Sequence, residues 1–312
     1  MNISIIIVNY NSGNVLKDCI NSIYKYEDEK SFEIIIVDQN STDNSGEIIK
    51  NFQEKYNNIK YIFNNTIKSF SFANNQGYEI SDGYYILIMN PDVLFKSSIL
   101  NKLITELEKN DSLGAICPQL IGEDGNFQSN YFQRYPTLMQ FILFYSVISK
   151  LFLKSENLRN KYLEDRNINL NSGKTEFVKQ IPCAFFLLKR KIFEEIEKMD
   201  EHYVLFFEDV DLSYQINKKY KLAIDTSCKV IHLGGITIRN ENDWWVYGRF
   251  ITSMHYFFRK NYGRCSAFIL KLIAIENSIP ILFFEYLIVF FGKKDLYKLK
   301  KHKNFLKLIF HN

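Results

Sequence analysis

A chain of 312 residues, 46% hydrophobic and 24% charged, has the composition of an ordinary folded protein with enough apolar residues for one large core or two modest ones. Its five cysteines (Cys19, Cys117, Cys183, Cys228, Cys265) are scattered with no Cys-x-x-Cys pair, which argues against a zinc site or a disulfide framework and suits a reducing compartment. The net charge of +4 belongs to the tail: residues 293–312 hold seven Lys and one Asp, a net of +6, against 32 basic and 34 acidic residues elsewhere, so no nucleic-acid-binding surface is expected on the main domain.

The chain opens on a β-rich run, Ile3–Asn9, without the basic segment and cleavage site of a secretory signal. Strand and helix patterns then alternate. A helix is expected over Val15–Tyr26, a strand over Glu33–Asp38, and a helix over Asn44–Tyr56 with Ser41, Thr42 and Asp43 as cap chemistry. A strand at Ile59–Phe63, a helix at Phe72–Ile80, a strand at Tyr84–Met89 and a helix at Ser97–Lys109 follow. Fully apolar strands separated by helices predict an α/β fold with a mostly parallel sheet flanked by helices. Ligands bind such sheets at the carboxyl ends of the strands. Polar residues stand at those ends: Asn9, Asn11 and Ser12, then Asp38, Asn40 and Asp43, then Asn90 and Asp92. The first turn, Asn9-Tyr10-Asn11-Ser12-Gly13-Asn14, has no Gly-x-Gly-x-x-Gly, which weakens a dinucleotide-binding reading.

Beyond residue 110 the pattern loosens. Leu113–Leu120 reads as a strand and Gly122–Gly125 as a turn, while Tyr135–Asn171 reads as a flexible or acceptor-side insertion. Order returns with the apolar run Phe177–Lys189, a helix at Arg190–Lys198, a helix at Val210–Lys219 and a strand at Lys229–His232. After Gly235 the chain turns aromatic and basic over Asp243–Tyr262, which includes Trp244 and Arg249. Cys265–Phe291 is apolar but broken by Lys271, Glu276 and Glu285. Its longest uncharged run, Asn277–Phe284, is far below the roughly 20 residues of a spanning helix. An interfacial amphipathic hairpin with a Lys-rich tail is expected instead.

Four constellations could carry chemistry. Asp38 can accept a hydrogen bond from a pyrimidine N–H or a ribose hydroxyl, or simply cap the next helix. In Asn90-Pro91-Asp92, proline stops the ladder and aims Asp92 where a hard cation bridging phosphates would sit, unless it only caps the helix from Ser97. Glu208, Asp209 and Asp211 crowd three carboxylates at the start of a helix, whose dipole favours their charge, as a general base requires, unless they only cap the helix and face solvent. His232, ending a strand before Leu233-Gly234-Gly235, can bind a metal or a phosphate, although a lone His is more often structural.

The order of Ser4–Ser12, Val37–Ser45, Phe70–Gly77 with Asn74-Asn75, Asn90-Pro91-Asp92, Met199-Asp200-Glu201 running into Glu208–Leu212, and Val230–Gly235 resembles the family 2 glycosyltransferases of bacteria. The likeness covers about residues 3–262 and is nearest the rhamnosyltransferase-like branch of cell-surface polysaccharide enzymes. It implies a GT-A fold over residues 1–240, with 241–312 a helical, membrane-associating extension. It also implies inverting transfer from a nucleoside-diphosphate sugar, UDP- or dTDP-linked, to a saccharide or polyprenyl-diphosphate-linked acceptor. The matching positions give Asp209 as the base beside Glu208, and Asp92 with His232 for Mg2+ or Mn2+. They give Asn9, Asn11, Asp38, Asn40, Asp43, Asn75 and Asn90 for the nucleotide donor, while Asp211, and Arg249 and Trp244 of the aromatic–basic segment, are candidates for acceptor or diphosphate contacts. A place on the inner face of the cytoplasmic membrane, as a peripheral protein, is implied as well. Departures from the family pattern are Asn90 for the first acid of Asp-x-Asp, Cys183 for Gly, Gln215 for Arg and Tyr220 for Gly. The alternatives are a nucleotidyltransferase, although the basic Gly-rich loop is missing, and a non-catalytic scaffold in a membrane glycan-assembly complex.

Overall fold

The computed structural model describes residues 2–128, 134–146, 148–163, 168–234 and 243–290. It divides into two compact units. The first comprises Met1–Tyr135, Glu164–Val204 and Glu208–Arg239, and the second Pro136–Leu163, Leu205–Phe207 and Asn240–Asn312.

In the first unit, β1 (Ile3–Asn9), β2 (Phe32–Asp38), β3 (Ile59–Phe63) and β4 (Tyr85–Met89) pair parallel in the order β3-β2-β1-β4. Ile34–Val37 and Ile86–Met89 are wholly buried, so these strands have no polar side to alternate with and read as unbroken apolar runs. The helices α1 (Gly13–Tyr26), α2 (Ser45–Lys55), α3 (Phe70–Glu79) and α4 (Leu100–Lys109) present apolar stripes to the core, such as Leu16, Cys19, Ile20 and Ile23 of α1. The start of α4 is capped from a distance. The Glu27 carboxylate accepts the N–H groups of Ile99 at 2.7 Å and Leu100 at 3.1 Å.

The sheet continues through β5 (Val93–Phe95), β6 (Leu113–Ile121), β7 (Thr175–Val178), β8 (Phe185–Lys189) and β9 (Lys221–His232). Its order is β3-β2-β1-β4-β8-β6-β9-β5, with β7 on β9. Among the described residues four ladders are parallel, β1·β2, β1·β4, β2·β3 and β6·β9, and four are antiparallel, β4·β8, β5·β9, β6·β8 and β7·β9. The sheet is therefore mixed, not mostly parallel. A strand buried on both faces reads the same in either direction, and all of Phe185–Lys189 is buried. β9 also begins well before Lys229, because the polar Asp225 and Thr226 are buried within it. Helices α8 (Arg190–Glu195) and α9 (Glu208–Ile216) complete the unit.

In the second unit, α5 (Leu138–Tyr145), α6 (Ser149–Phe152) and α7 (Glu156–Tyr162) occupy the stretch expected to be flexible. Thr137 and Gln140 form a capping box that starts α5. The helices α10 (Asp243–Tyr262) and α11 (Arg264–Phe290) are joined at Gly263 and pack on each other, burying Ile251, Met254, Phe257, Ala267, Leu270 and Ala274. No helix among the described residues is long and apolar enough to cross a membrane. Gly235 and the Lys-rich tail lie outside the described residues.

The approach of β4 to β1 depends on Gly83. A Cβ there would stand 2.4 Å from Ser4 N and 2.7 Å from Ile3 C, which are backbone atoms that cannot move aside. Gly83→Ala is expected to lower stability by about 1–3 kcal/mol, seen as a lower urea midpoint at unchanged slope. An unchanged midpoint would show that β1 and β4 have slack at this turn.

Candidate active site

The carboxyl ends of β1 and β2 are tied together by their own polar residues. Register places Asn9 opposite Asp38. Asn9 Nδ2 donates to Asp38 Oδ2 at 2.7 Å and to Ser41 Oγ at 3.2 Å, and Ser41 N donates to Asp38 Oδ1 at 2.8 Å. Asn11 stands in the left-handed region (φ 47°), a conformation that Asn tolerates, and its Oδ1 accepts from Thr42 N at 2.7 Å. Asn40 is left-handed as well, with φ 62°. Asp43 joins the two loops. Its Oδ2 accepts from Gly13 N at 2.9 Å and its Oδ1 from Ser45 N at 3.0 Å. Burial pulls its pKa upward, but the bonds from Ser45 and Gly13 outweigh that and hold it below the usual carboxylate value. Gly13 packs closely here: a Cβ would turn the Asn44 amide aside and stand 3.1 Å from Ser45 N. Asn9 Oδ1 and Gln39 Nε2 are left buried without hydrogen-bond partners in this network.

On the other side of β1, the chain leaves β4 through Asn90-Pro91-Asp92. Asn90 N donates to Ala184 O at 3.1 Å. The antiparallel register of β5 with β9 sets Val93 opposite His232, and this carries Asp92 to the end of β9. Leu233 N donates to Asp92 O at 3.1 Å, and Gly234 N to Asp92 Oδ2 at 2.9 Å. Asp92 Oδ1 is buried and accepts no hydrogen bond, 3.4 Å from His232 Nε2. Asn90 Nδ2 also lies 3.4 Å from that nitrogen. Burial holds the imidazole pKa below its ordinary value despite the charge of Asp92, so the ring is neutral at pH 7. A carboxylate oxygen without a hydrogen bond beside a neutral imidazole fits a divalent cation whose other ligands are phosphate oxygens and water. Among the described residues, no group of three or more His, Cys, Asp or Glu side chains could hold a metal ion.

The acidic cluster divides. Glu208 and Asp209 lie in the first turn of α9, inside the helix and not ahead of it. Asp209 Oδ1 accepts from Val210 N at 2.8 Å, while Glu208 Oε2 is shut from solvent without a hydrogen bond. Desolvation raises the Glu208 pKa to about 8, helped by the charge of Asp209. Desolvation also raises Asp209, to about 6, against the hydrogen bond from Val210. The two titrate as a pair, with one proton between them near neutrality. Asp211 faces inward, is buried, and accepts from Gln215 Nε2 at 3.0 Å.

One short segment links the acidic pair to the Asp92 side. The Cys183 thiol is pushed well above its usual pKa by desolvation and then by the charges of Asp209 and Glu208. Ala184, next in the chain, holds Asn90. Ser213 of α9 accepts from Ile181 N at 3.1 Å and fixes the helix to the same segment.

The structure thus gathers Asn9, Asn11, Asp38, Asn40 and Asp43 at one group of strand ends, and Asn90, Asp92 and His232 beside them. Asn75 is engaged elsewhere: Nδ2 donates to Met199 O at 2.9 Å and Glu201 Oε1 at 2.8 Å, and Oδ1 accepts from Met199 N at 3.1 Å. Trp244 and Arg249 lie in α10 of the second unit. Two contributors went unread in the sequence. Ser213 is an unremarkable helix serine, and Gln128 follows a turn whose return to β6 no local pattern announces.

Residues 4–197, more than half of the chain, match the model of glycosyl transferase family 2. Glycosyltransferase GlyG of Streptococcus pneumoniae serotype 4 is 32% identical over 110 residues, 35% of this chain and 36% of that protein. A GalNAc(5)-diNAcBac-PP-undecaprenol beta-1,3-glucosyltransferase of Campylobacter jejuni is 28% identical over 131 residues, 41% of each chain. The matched stretch therefore spans less than half the length of either relative. Among solved structures, the mannosyltransferase PcManGT from Pyrobaculum calidifontis, in complex with GDP-Man and Mn2+, superposes with a TM-score of 0.56 over 99% of this chain and 86% of that one, at 11% identity. That likeness concerns the fold, a GT-A-like α/β architecture with a mixed sheet flanked by helices. The family match runs through both strand-end loops, the Asn90-Pro91-Asp92 turn and β8, and the chain belongs to glycosyl transferase family 2.

Proposed function

We propose that this glycosyltransferase inverts the anomeric centre of a sugar as it passes from a nucleoside diphosphate to a glycan or lipid-linked glycan acceptor. The observation that carries the reading is the buried Asp92 Oδ1 beside His232 Nε2, at the end of the sheet that also holds the Asn9–Asp38 network. Asp38 and Asn90 stand two strands apart across β1, about 10 Å at ordinary strand spacing. That span suits a nucleoside at β2 and its diphosphate at β4. The orphaned Asn9 Oδ1 and Gln39 Nε2 offer an acceptor and a donor to the nucleoside. A divalent cation held by Asp92 and His232 would neutralise charge on the leaving diphosphate.

In this reading Asp209 removes the acceptor hydroxyl proton as the sugar is displaced. Direct displacement with one base gives inversion. Desolvation serves that role by raising the basicity of Asp209 well above that of an exposed carboxylate. Glu208 keeps the shared proton and spares the pocket a second negative charge. The lipid-linked glycan in the name of the Campylobacter relative makes a polyprenyl-diphosphate-linked saccharide the first acceptor to test.

The direct test is release of nucleoside diphosphate from a panel of UDP-, dTDP- and GDP-sugars, dTDP-rhamnose included, with Mn2+ and a lipid-linked acceptor. Transfer from one donor with an inverted product is expected; cleavage with retained configuration would overturn the reading. Asp209→Asn should keep donor affinity while lowering kcat by about 10²–10⁴. Near-normal turnover would remove Asp209 from the role of base.

The acidic pair also predicts two pH effects. kcat/KM should rise through pH 6, falling about tenfold per unit below it, because only ionised Asp209 accepts a proton. A profile flat from pH 5 to 8 would contradict this. A carboxyl whose folded pKa lies above its unfolded value costs stability once pH exceeds the unfolded pKa. Glu208→Gln should therefore raise Tm at pH 8 and have little effect near pH 4, whereas a lower Tm at pH 8 would show that its charge is stabilising. For the tail, the proposed role is contact with anionic lipid. Deleting residues 293–312 should reduce cosedimentation with anionic vesicles, and undiminished binding would exclude it.

A further inference from the structure

Gln128 is the residue whose geometry has the clearest consequence outside the roles already described. It follows a tight return from β6. Gly125 N donates to Gly122 O at 2.9 Å, Phe127 bridges back to Ile121, and Gln128 N donates to Leu120 O at 3.0 Å. Leu120 and Ile121 are the β6 residues that pair with Val230 and Ile231 of β9, so the return sets Gln128 beside the last residue of β9.

The side-chain amide clamps that residue at two points. Gln128 Nε2 donates to His232 O at 2.8 Å, and Gln128 Oε1 lies 2.8 Å from His232 Nδ1. A backbone carbonyl can only accept, so the amide nitrogen must face it. Turning the amide over would set two oxygens against each other. The amide oxygen can also only accept, so Nδ1 must carry the ring proton. In a neutral imidazole the other nitrogen then presents a lone pair, and Nε2 is the nitrogen 3.4 Å from Asp92 Oδ1. The opposite tautomer would point an N–H at Asp92 Oδ1 and fill the place of a cation.

We propose that Gln128 is a positioning residue that locks His232 in the Nδ1–H tautomer and turns its Nε2 lone pair toward Asp92. The proposal rests on the cation-binding reading of Asp92 and His232, and two readouts separate them. The first is the tautomer of His232 in the metal-free protein, from nitrogen NMR of histidine-labelled samples. The chain has five His, and loss of a resonance in His232→Ala assigns the signal. The wild-type protein should show Nδ1–H. Gln128→Met should shift the population toward Nε2–H. A wild-type ring protonated on Nε2, or an unchanged tautomer in Gln128→Met, would overturn the proposal.

The second readout is the affinity for Mn2+ alone, from the free ion's electron paramagnetic resonance signal. Gln128→Met should bind about 10–100-fold more weakly, as losses of a partner behind a metal-bound histidine do. Unchanged affinity in Gln128→Met alongside a loss in His232→Ala would refute the role of Gln128 and leave the cation site standing. Unchanged affinity in His232→Ala would defeat the cation reading itself.

Discussion

Three residue pairs between β5 and the end of β9 determine where the chemistry of this protein can sit. β4 ends in the middle of the sheet, and β5, only a few residues later, lies at its far edge. Proline at position 91 releases the chain from the β4 ladder, and the antiparallel pairing of Val93 with His232 recaptures it. Asp92 is thereby fixed through its carbonyl and one carboxylate oxygen, with the other oxygen left to face the imidazole. A slip of one residue in this short ladder would send both side chains to the opposite face of the sheet. Much of the local architecture guards against that slip. Gly234 N and Leu233 N bind Asp92, Gln128 holds His232, and Ala184 holds Asn90.

The site carries costs that the surrounding core must offset. Desolvation raises the pKa of both Glu208 and Asp209, and Asp92 Oδ1, Asn9 Oδ1 and Glu208 Oε2 are buried without hydrogen bonds. Each such group is worth roughly 1–3 kcal/mol of lost solvation. These three lie at the strand ends and the start of α9, whereas Ser71 Oγ and Asn74 Oδ1 are buried without hydrogen bonds within α3. Binding groups poised for a ligand and a base tuned toward neutrality would be expected to look like this.

Much of this was legible in the amino-acid sequence, and for identifiable reasons. Unbroken apolar runs marked β1, β2 and β4, so the polar residues just beyond them were marked too. Pro91 announced the turn that presents Asp92. Crowded carboxylates announced the acidic pair. What local pattern could not convey was direction and distant partnership. The antiparallel course of β8 is invisible in five buried residues, and the three residues of β5 are too few to show a period. The same limit explains Asn75. Its place beside the family motif suggested a ligand, but its amide is spent on the Met199–Glu201 turn, more than a hundred residues away. Asp211 looked like a third acid of the cluster. It is buried instead, and it accepts a hydrogen bond from Gln215 one turn further along the helix.

The central claim is that Asp92 and His232 together form the cation and diphosphate end of the donor site. The most direct measurement is a crystal structure of the protein with Mn2+ and UDP, with the metal located by its anomalous signal. The account predicts one manganese peak in direct contact with Asp92 Oδ1 and His232 Nε2 and with the diphosphate oxygens. A diphosphate bound at the strand ends with manganese elsewhere, or manganese held by Glu208 and Asp209, would contradict it.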